Sequence, residues 1–360
     1  MNQNDQYHFV SIDSEGYPHF SGIRVSDPNI GREILEHIRL DPTHSLTWVT
    51  SVKQQSFVVE AFDFPYVIQH VEQDGISPEG DALWKGTLPY QIPVSFKINS
   101  LAIDEWDRLC GVTYPNNIPF VLSRKAQAQL TSLLEQYSDN QITVNSQNYR
   151  IPNYFADSEQ VPVHLEPFWT EKYRSDVPPG WELNRPHQSL SHILPQLKLP
   201  RSKVLILGCG SGNDAAFWAS QGHLVTAVDF SPAAIELGQE KWKHLDNIRW
   251  ICSDVFQPKV PIDDQSYDII FEHTFFCAIT PKKRNQLVTI WQKKLREKGW
   301  LCAILFCHYW KNSPPFGGSE YEYQRRLEPY FQFIYWQRLR PPLAEPGRLG
   351  IELFLFAQKK

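Results

Sequence analysis

Residues 203–231 read KVLILGCGSGNDAAFWASQGHLVTAVDFS, and no other stretch limits the possible folds of this chain as strongly. Residues 204–207 form a continuous apolar run, the pattern of a central parallel strand covered on both faces. Gly208, Gly210 and Gly212 follow, and without a Cβ they allow a tight turn and close approach of a ligand to the backbone. A helix is expected to open near Asn213 and Asp214, where free N–H groups and the positive dipole end suit a carboxylate or phosphate. Residues 225–228 read as a second strand. Asp229 ends it, placed to accept hydrogen bonds from both hydroxyls of an adenosine ribose.

The glycine spacing narrows the ligand. A dinucleotide fingerprint, G-x-G-x-x-G, would put its third glycine at position 213, which is Asn213. The pattern here is G-x-G-x-G, the turn used with S-adenosyl-L-methionine, whose amino-acid end would lie over the turn and whose ribose would sit on Asp229. A glycine turn in some other α/β protein remains the alternative.

At 360 residues the chain is long enough for two cores, and its 42% hydrophobic and 21% charged content is that of a globular protein. No run of about 18 apolar residues is present, so no membrane span is expected. Asn2, Gln3 and Asn4 replace the basic and apolar start of a secretory signal, which leads us to expect a cytoplasmic protein. The six cysteines, at 110, 209, 252, 277, 302 and 307, form neither a CxxC pair nor a zinc-ligand spacing. They read as free core thiols, with Cys209 and Cys277 near the proposed site. A net charge of −5 without a long basic run argues against a nucleic-acid partner and leaves a small molecule as the expected one.

Residues 1–150 carry no nucleotide turn and read as a separate, smaller α+β domain. Strands are expected at 46–52, 56–62, 90–98 and 141–144, and helices at 30–38 and 123–137, the latter capped by Ser123. Turns are expected at 15–16, 73–75 and 115–117. Residues 151–166, polar and proline-spaced, read as a linker. From 167 to 360 the pattern alternates strand and helix, which builds a parallel α/β sheet. Beyond the first two strands, a helix is expected at 232–243 and strands at 248–252, 267–271, 300–306, 333–339 and 351–357.

Five ordered segments carry a family resemblance: FWTEKYRSDVPPGWELNRP at 168–186, LGCGSGND at 207–214, VDFSPAAIE at 228–236, FEHTFFCAITPKKR at 271–284 and SPPFGGSEYEY at 313–323. With them, residues 167–360 resemble the thiopurine S-methyltransferase superfamily, and within it the thiol and halide methyltransferase branch. The resemblance implies a Rossmann-like, seven-stranded class I methyltransferase sheet with an antiparallel last strand, and S-adenosyl-L-methionine as cofactor. It implies that Trp169 and Trp181 close over the cofactor and that Arg185 holds their segment. Asp254 would accept from the adenine amino group, the Val255 backbone would contact the ring, and Phe230 and Glu272 would complete the cofactor contacts. Packing is the competing role for each tryptophan, and a turn or helix cap for Asp254.

Glu272 and His273 end the fourth expected strand, where open α/β sheets place their reacting groups, and are the catalytic candidates. The branch has tyrosine at the second position, so its substrate contacts do not transfer to His273. The imidazole could take a thiol proton, bond an anionic nucleophile, or simply be satisfied by a backbone carbonyl. Phe275, Phe276, Tyr309, Trp310 and Phe316 are candidate pocket walls, each equally suited to the core. The SPPF at 313–316 does not follow strand four, which sets aside the amino-methyltransferase reading of those letters.

The expected reaction is in-line methyl transfer to a soft nucleophile, a thiol first, then related sulfur, selenium or halide anions. It joins a sulfonium to an anion, so a dry aromatic pocket helps, and it calls for no metal and no strong base. Oxygen or nitrogen methylation of a small metabolite and a non-catalytic cofactor-binding scaffold are the alternatives. The N-terminal domain could cap the substrate side, mediate dimerisation or bind another protein.

Overall fold

The computed structural model describes residues 7–138 and 140–360. The signal-peptide reading concerns residues that lie outside the described ones. The chain divides into two compact units: the described residues up to Asp157 together with Ser319–Tyr321, and Ser158–Gly318 with Glu322–Lys360. No helix among the described residues is long and apolar enough to cross a membrane.

The first unit is an α+β fold in which strands dominate. The helix Pro28–Glu36 starts with proline in its first turn and is capped by Asp27, whose carboxylate accepts the Asn29 N–H. One sheet centres on Phe9–Ile12 and Gln55–Ala61, which pair in parallel. A second contains a meander of His70–Ile76, Ala82–Leu88 and Ile92–Lys97. Residues of Ala82–Leu88 alternate between fully and partly buried, as one covered sheet face requires, and Trp84 and Phe96 are fully buried.

Two expectations fail here for local reasons. The turn expected at 73–75 is a bulge inside the strand His70–Ile76: the register shifts between Gln73 and Gly75, and Gly75 takes φ 147°, open to glycine alone. The helix expected over 123–137 is capped by Ser123, whose Oγ accepts the Ala126 N–H at 3.1 Å, but it ends at Leu133. Gln136–Ser138 instead pairs with Gln141–Val144, because ladder bonds to that strand override the helical periodicity.

The second unit is a seven-stranded sheet. Its strands are β1 (Lys203–Leu207), β2 (Leu224–Asp229), β3 (Ile248–Cys252), β4 (Tyr267–His273), β5 (Leu295–Phe306), β6 (Phe331–Arg338) and β7 (Glu352–Lys359). The helices are α1 (Glu166–Arg174), α2 (Leu190–Leu197), α3 (Asn213–Ser220), α4 (Pro232–Lys241), α5 (Arg284–Lys294) and α6 (Glu320–Leu327), the last belonging to this unit from Glu322 onward. The strand order is β3-β2-β1-β4-β5-β7-β6. Strands β1 to β5 run parallel, and β7 is inserted antiparallel between β5 and β6. This is the class I methyltransferase sheet.

Burial explains why the central strands hold. Leu205, Ile270, Leu301 and Leu355 each have at most 1% of their surface exposed and share one apolar cluster with Trp291 of α5. A fully buried leucine or isoleucine stabilises the fold by about 1.5–3 kcal/mol, so these side chains together hold the central strands in place. The order of the strands reverses between β1 and its two neighbours β2 and β4, and the crevice outside that switch point is where such sheets bind ligands. Strand β4 runs two residues beyond the expected end, so that Glu272 and His273 are its last ladder residues, paired with Ala303 and Ile304 of β5.

Candidate active site

The turn after β1 is held open by glycine. Gly208, Gly210 and Gly212 take φ values of 66°, 53° and 79°. A Cβ on Gly210 would lie 2.5 Å from the Tyr173 hydroxyl, and one on Gly208 would strike the Phe275 ring. Asp229, at the end of β2, fixes the turn from below. Its Oδ2 accepts the Gly210 N–H and its Oδ1 the Ser231 N–H, both at 2.9 Å. Burial pushes this carboxyl above its usual range, although the bonds from Ser231 and Gly210 pull it back down. Each oxygen keeps a lone pair for a further donor.

Helix α1 and the segment after it lie against the turn. Thr170 Oγ1 is 2.8 Å from Ser231 Oγ, which ties α1 to the start of α4. Trp181 donates its indole N–H to the Tyr173 hydroxyl at 3.2 Å and meets Trp169 edge to face at 5.4 Å, while Trp169 donates to Val163 O at 2.8 Å. Glu182 accepts from the Ser211 hydroxyl at 2.5 Å and from the Asn213 side-chain amide. Arg185 grips Glu345 with both terminal nitrogens, at 2.8 and 2.5 Å, and so anchors the segment. Tyr173 and Glu182 were not among the sequence candidates, and only their closeness in sequence to Trp169 and Trp181 pointed to them.

Glu272 and His273 are organised differently. Glu272 Oε1 accepts the N–H groups of Phe276 at 2.7 Å and Phe275 at 2.9 Å, capping the turn that follows β4. Its Oε2 is buried without a hydrogen-bond partner among the described residues. Burial pushes the carboxyl up to about 8 against the pull of those two backbone bonds, so the group is largely protonated near neutral pH. His273 is satisfied not by a backbone carbonyl but by a side chain: its Nδ1 lies 2.8 Å from Oδ2 of Asp214 in the first turn of α3. Burial alone would raise the Asp214 carboxyl, but His273 and the His187 N–H outweigh it, so the group stays ionised. With Nδ1 donating to this carboxylate, the lone pair of His273 falls on Nε2. Sequence reading had placed Asp214 only at the helix start.

The remaining candidates divide. Phe275 is half-buried against Gly208, and Phe230 and Tyr309 are half-buried. Phe276 and Phe316 are buried: Phe276 is 2% exposed and packs on Trp291 and Tyr323, and Phe316 is fully buried. Trp310 is half exposed, its indole N–H donating to Ser313 Oγ at 2.9 Å. Asp254 uses its carboxylate on its own turn, accepting from Phe256 N–H at 2.9 Å and Gln257 Nε2 at 3.2 Å, and Val255 packs in the core. None of the six cysteines is in a disulfide, and Cys252 is exposed and not a core thiol. Burial raises the thiols of Cys209 and Cys277, the latter to about 12, so neither is a ready nucleophile.

The sequence model of the Thiopurine S-methyltransferase family matches residues 164–340. The probable thiol methyltransferase 2 of Arabidopsis thaliana is 30% identical over 164 residues, covering 45% of this chain and 71% of that protein. Thiocyanate methyltransferase 1 of the same plant is 25% identical over 170 residues, 45% of this chain and 73% of its own length. Among solved structures, the 1,6-didemethyltoxoflavin-N1-methyltransferase of Burkholderia thailandensis superposes at 21% identity with a TM-score of 0.43, over 62% of this chain and 98% of that one. Through residues 164–340, the chain therefore belongs to the thiopurine S-methyltransferase family of S-adenosyl-L-methionine-dependent methyltransferases.

Proposed function

We propose that the second unit methylates a small thiol, or a related sulfur, selenium or halide anion, at the rim formed by the glycine turn and the end of β4. The observation that carries this reading is the Asp214–His273 pair, which leaves an imidazole nitrogen with a free lone pair at the end of β4. The thiol and thiocyanate methyltransferase relatives favour sulfur as the acceptor atom.

The residues present suit S-adenosyl-L-methionine. The turn carries no Cβ at Gly208, Gly210 or Gly212 to hold a ligand off its backbone, Asp229 is buried with lone pairs to spare, and Glu272 Oε2 is a buried polar atom without a partner among the described residues. When bound, the cofactor supplies a methyl group made electrophilic by its sulfonium. Asp229 would hold the ribose hydroxyls. Trp169 and Trp181 would offer ring faces to the cationic sulfur, a contact worth about 0.5–2 kcal/mol. Asp254 Oδ2 would take the adenine amino group on the lone pair not used by Gln257. Protonated Glu272 can donate from Oε2, which would orient a ligand without adding negative charge.

His273 has the chemistry to take the acceptor's proton. A thiol of pKa about 8.5 is mostly protonated at neutral pH, so an imidazole lone pair next to it raises the reactive thiolate fraction. Asp214 keeps the ring in the tautomer that can do so. Wrapping the site in aromatic side chains excludes water, which favours a step that cancels a positive and a negative charge.

Cofactor turnover measured against panels of thiols, selenols, iodide and amines tests the reading. Thiols should be methylated and amines not. Preference for amines, or no thermal shift with saturating S-adenosyl-L-methionine or its demethylated product, would overturn it.

A further inference from the structure

Three side chains from separate parts of the second unit bring one ligand atom each to a single buried point. His187 lies just before α2, His273 ends β4 and Glu352 opens β7, and their nearest nitrogen or oxygen atoms all lie within 4.8 Å of one another. The three residues are 1%, 9% and 0% exposed. Nε2 of each histidine is buried without a hydrogen-bond partner among the described residues. Two bare imidazole nitrogens beside a carboxylate are costly in a dry site unless something bridges them.

The outer contacts point both rings the same way. His273 Nδ1 is held by Asp214 Oδ2 at 2.8 Å and His187 Nδ1 by Ser189 Oγ at 2.8 Å, which leaves the two Nε2 atoms for coordination. The Ser189 N–H also donates to His187 Nδ1 at 3.2 Å, a bond the ring would give up in favour of donating from Nδ1 to Ser189 Oγ when Nε2 takes a metal. His187 Nε2 lies 3.9 Å from Glu345 Oε1 and at the ion-pair distance of 3.2 Å from Glu352 Oε1. That separation is close to the roughly 3.3 Å edge of a tetrahedron whose ligands stand about 2.0 Å from zinc. Arg348 is the competitor, with Nη1 3.3 Å from the same Glu352 oxygen.

We propose that His187, His273 and Glu352 form a three-ligand site for a divalent transition-metal ion of the zinc type. Two imidazoles and one carboxylate suit such borderline ions, whereas calcium and magnesium prefer all-oxygen sets. The site would staple the segment that carries Trp181 and Glu182 to the ends of β4 and β7. Binding would occupy the His273 lone pair, so that in the loaded protein the ion and not His273 would promote loss of the thiol proton, and it would leave a tetrahedral ion one open position. Resting on the thiol reading above, that position would receive the acceptor sulfur as thiolate, the thiol proton passing to water, before the sulfur attacks the methyl carbon and the cofactor sulfonium leaves as a thioether. The site itself does not depend on that reading. Sequence spacing had led us to expect no metal, because the three ligands share no short motif.

The full chain, loaded with zinc and passed through gel filtration, should retain one equivalent, and zinc-edge X-ray absorption should show imidazole outer-shell scattering and no sulfur ligand. His187→Gln should lose the retained equivalent, and Asp214→Asn, which frees one ring, should weaken binding about 10- to 100-fold. Circular dichroism of the metal-free variants checks that they are folded. Substoichiometric retention by the unaltered chain, or sulfur in the coordination shell, overturns the proposal without any variant. The thermal shift with S-adenosyl-L-methionine is read separately, so failure of the methyl-transfer reading would leave zinc retention unchanged.

Discussion

The hydroxyl of Tyr173 fills the space that a side chain at Gly210 would need, 2.5 Å from where the Cβ would lie. Gly210→Ala should therefore destabilise the protein through two separate effects: left-handed backbone strain of about 1–3 kcal/mol, and a collision with the phenol. Tyr173→Phe removes the atom that is struck. In urea denaturation the double variant should recover the collision part and keep the strain, a coupling that a double-mutant cycle reads directly. Strict additivity of the two single variants would show that the phenol does not constrain the turn.

Asp229 joins the glycine turn to the start of α4 and is proposed above to hold the ribose. In Asp229→Asn the new amide would face a backbone N–H, donor against donor. Hydrogen bonds to a charged acceptor contribute about 1.5–3 kcal/mol, so cofactor affinity should fall roughly 10- to 100-fold. Isothermal titration with the demethylated cofactor product measures it. An unchanged dissociation constant would place the cofactor elsewhere.

Glu182 secures the Trp181 segment through Ser211 and Asn213. Removing both bonds in Glu182→Ala should weaken cofactor binding about tenfold and expose residues 175–181 to limited proteolysis, with Glu182→Gln keeping part of the effect because its amide oxygen still accepts. Equal protease resistance in all three proteins would show that the segment is held by its aromatic contacts alone.

His308 gives a pH signature. Burial, helped by the positive charge of Arg284, lowers its imidazole to about 3. The folded protein thus refuses a proton that the unfolded chain accepts below its ordinary value of about 6.5. Stability contributed by the neutral ring is complete above that value and falls as the pH drops through the window, by about 2 kcal/mol between pH 7 and pH 5. His308→Gln, whose amide oxygen can still accept the Trp310 N–H, should lose correspondingly less stability over that interval. Parallel urea titrations at the two pH values decide it, and an identical acid loss in the variant would assign the effect to other groups.

What could be read in advance was what the backbone itself demands. The apolar run of β1, the glycine turn and the bounds of β3 follow from burial on two faces and from φ values that only glycine tolerates easily. The antiparallel closing strand followed from the family resemblance. Contacts between distant residues were not legible. Nothing local says that Asp214 turns to His273, that Glu182 reaches Ser211, or that Tyr173 covers Gly210. Aromatic identity likewise did not separate Phe275, which lies on the turn, from Phe276, its neighbour in the core. Gly75 and Gln136–Ser138 misled because a bulge and a strand pairing are settled by the partner strand, which a local pattern does not contain.

Because β7 is threaded between β5 and β6, the sheet's interior is completed by residues near the end of the sequence. During synthesis β6 would emerge with no neighbour to bind, and the methyltransferase unit would stay incomplete until Lys359 clears the ribosome. Nascent chains stalled before that point should present an unfilled gap between β5 and β6.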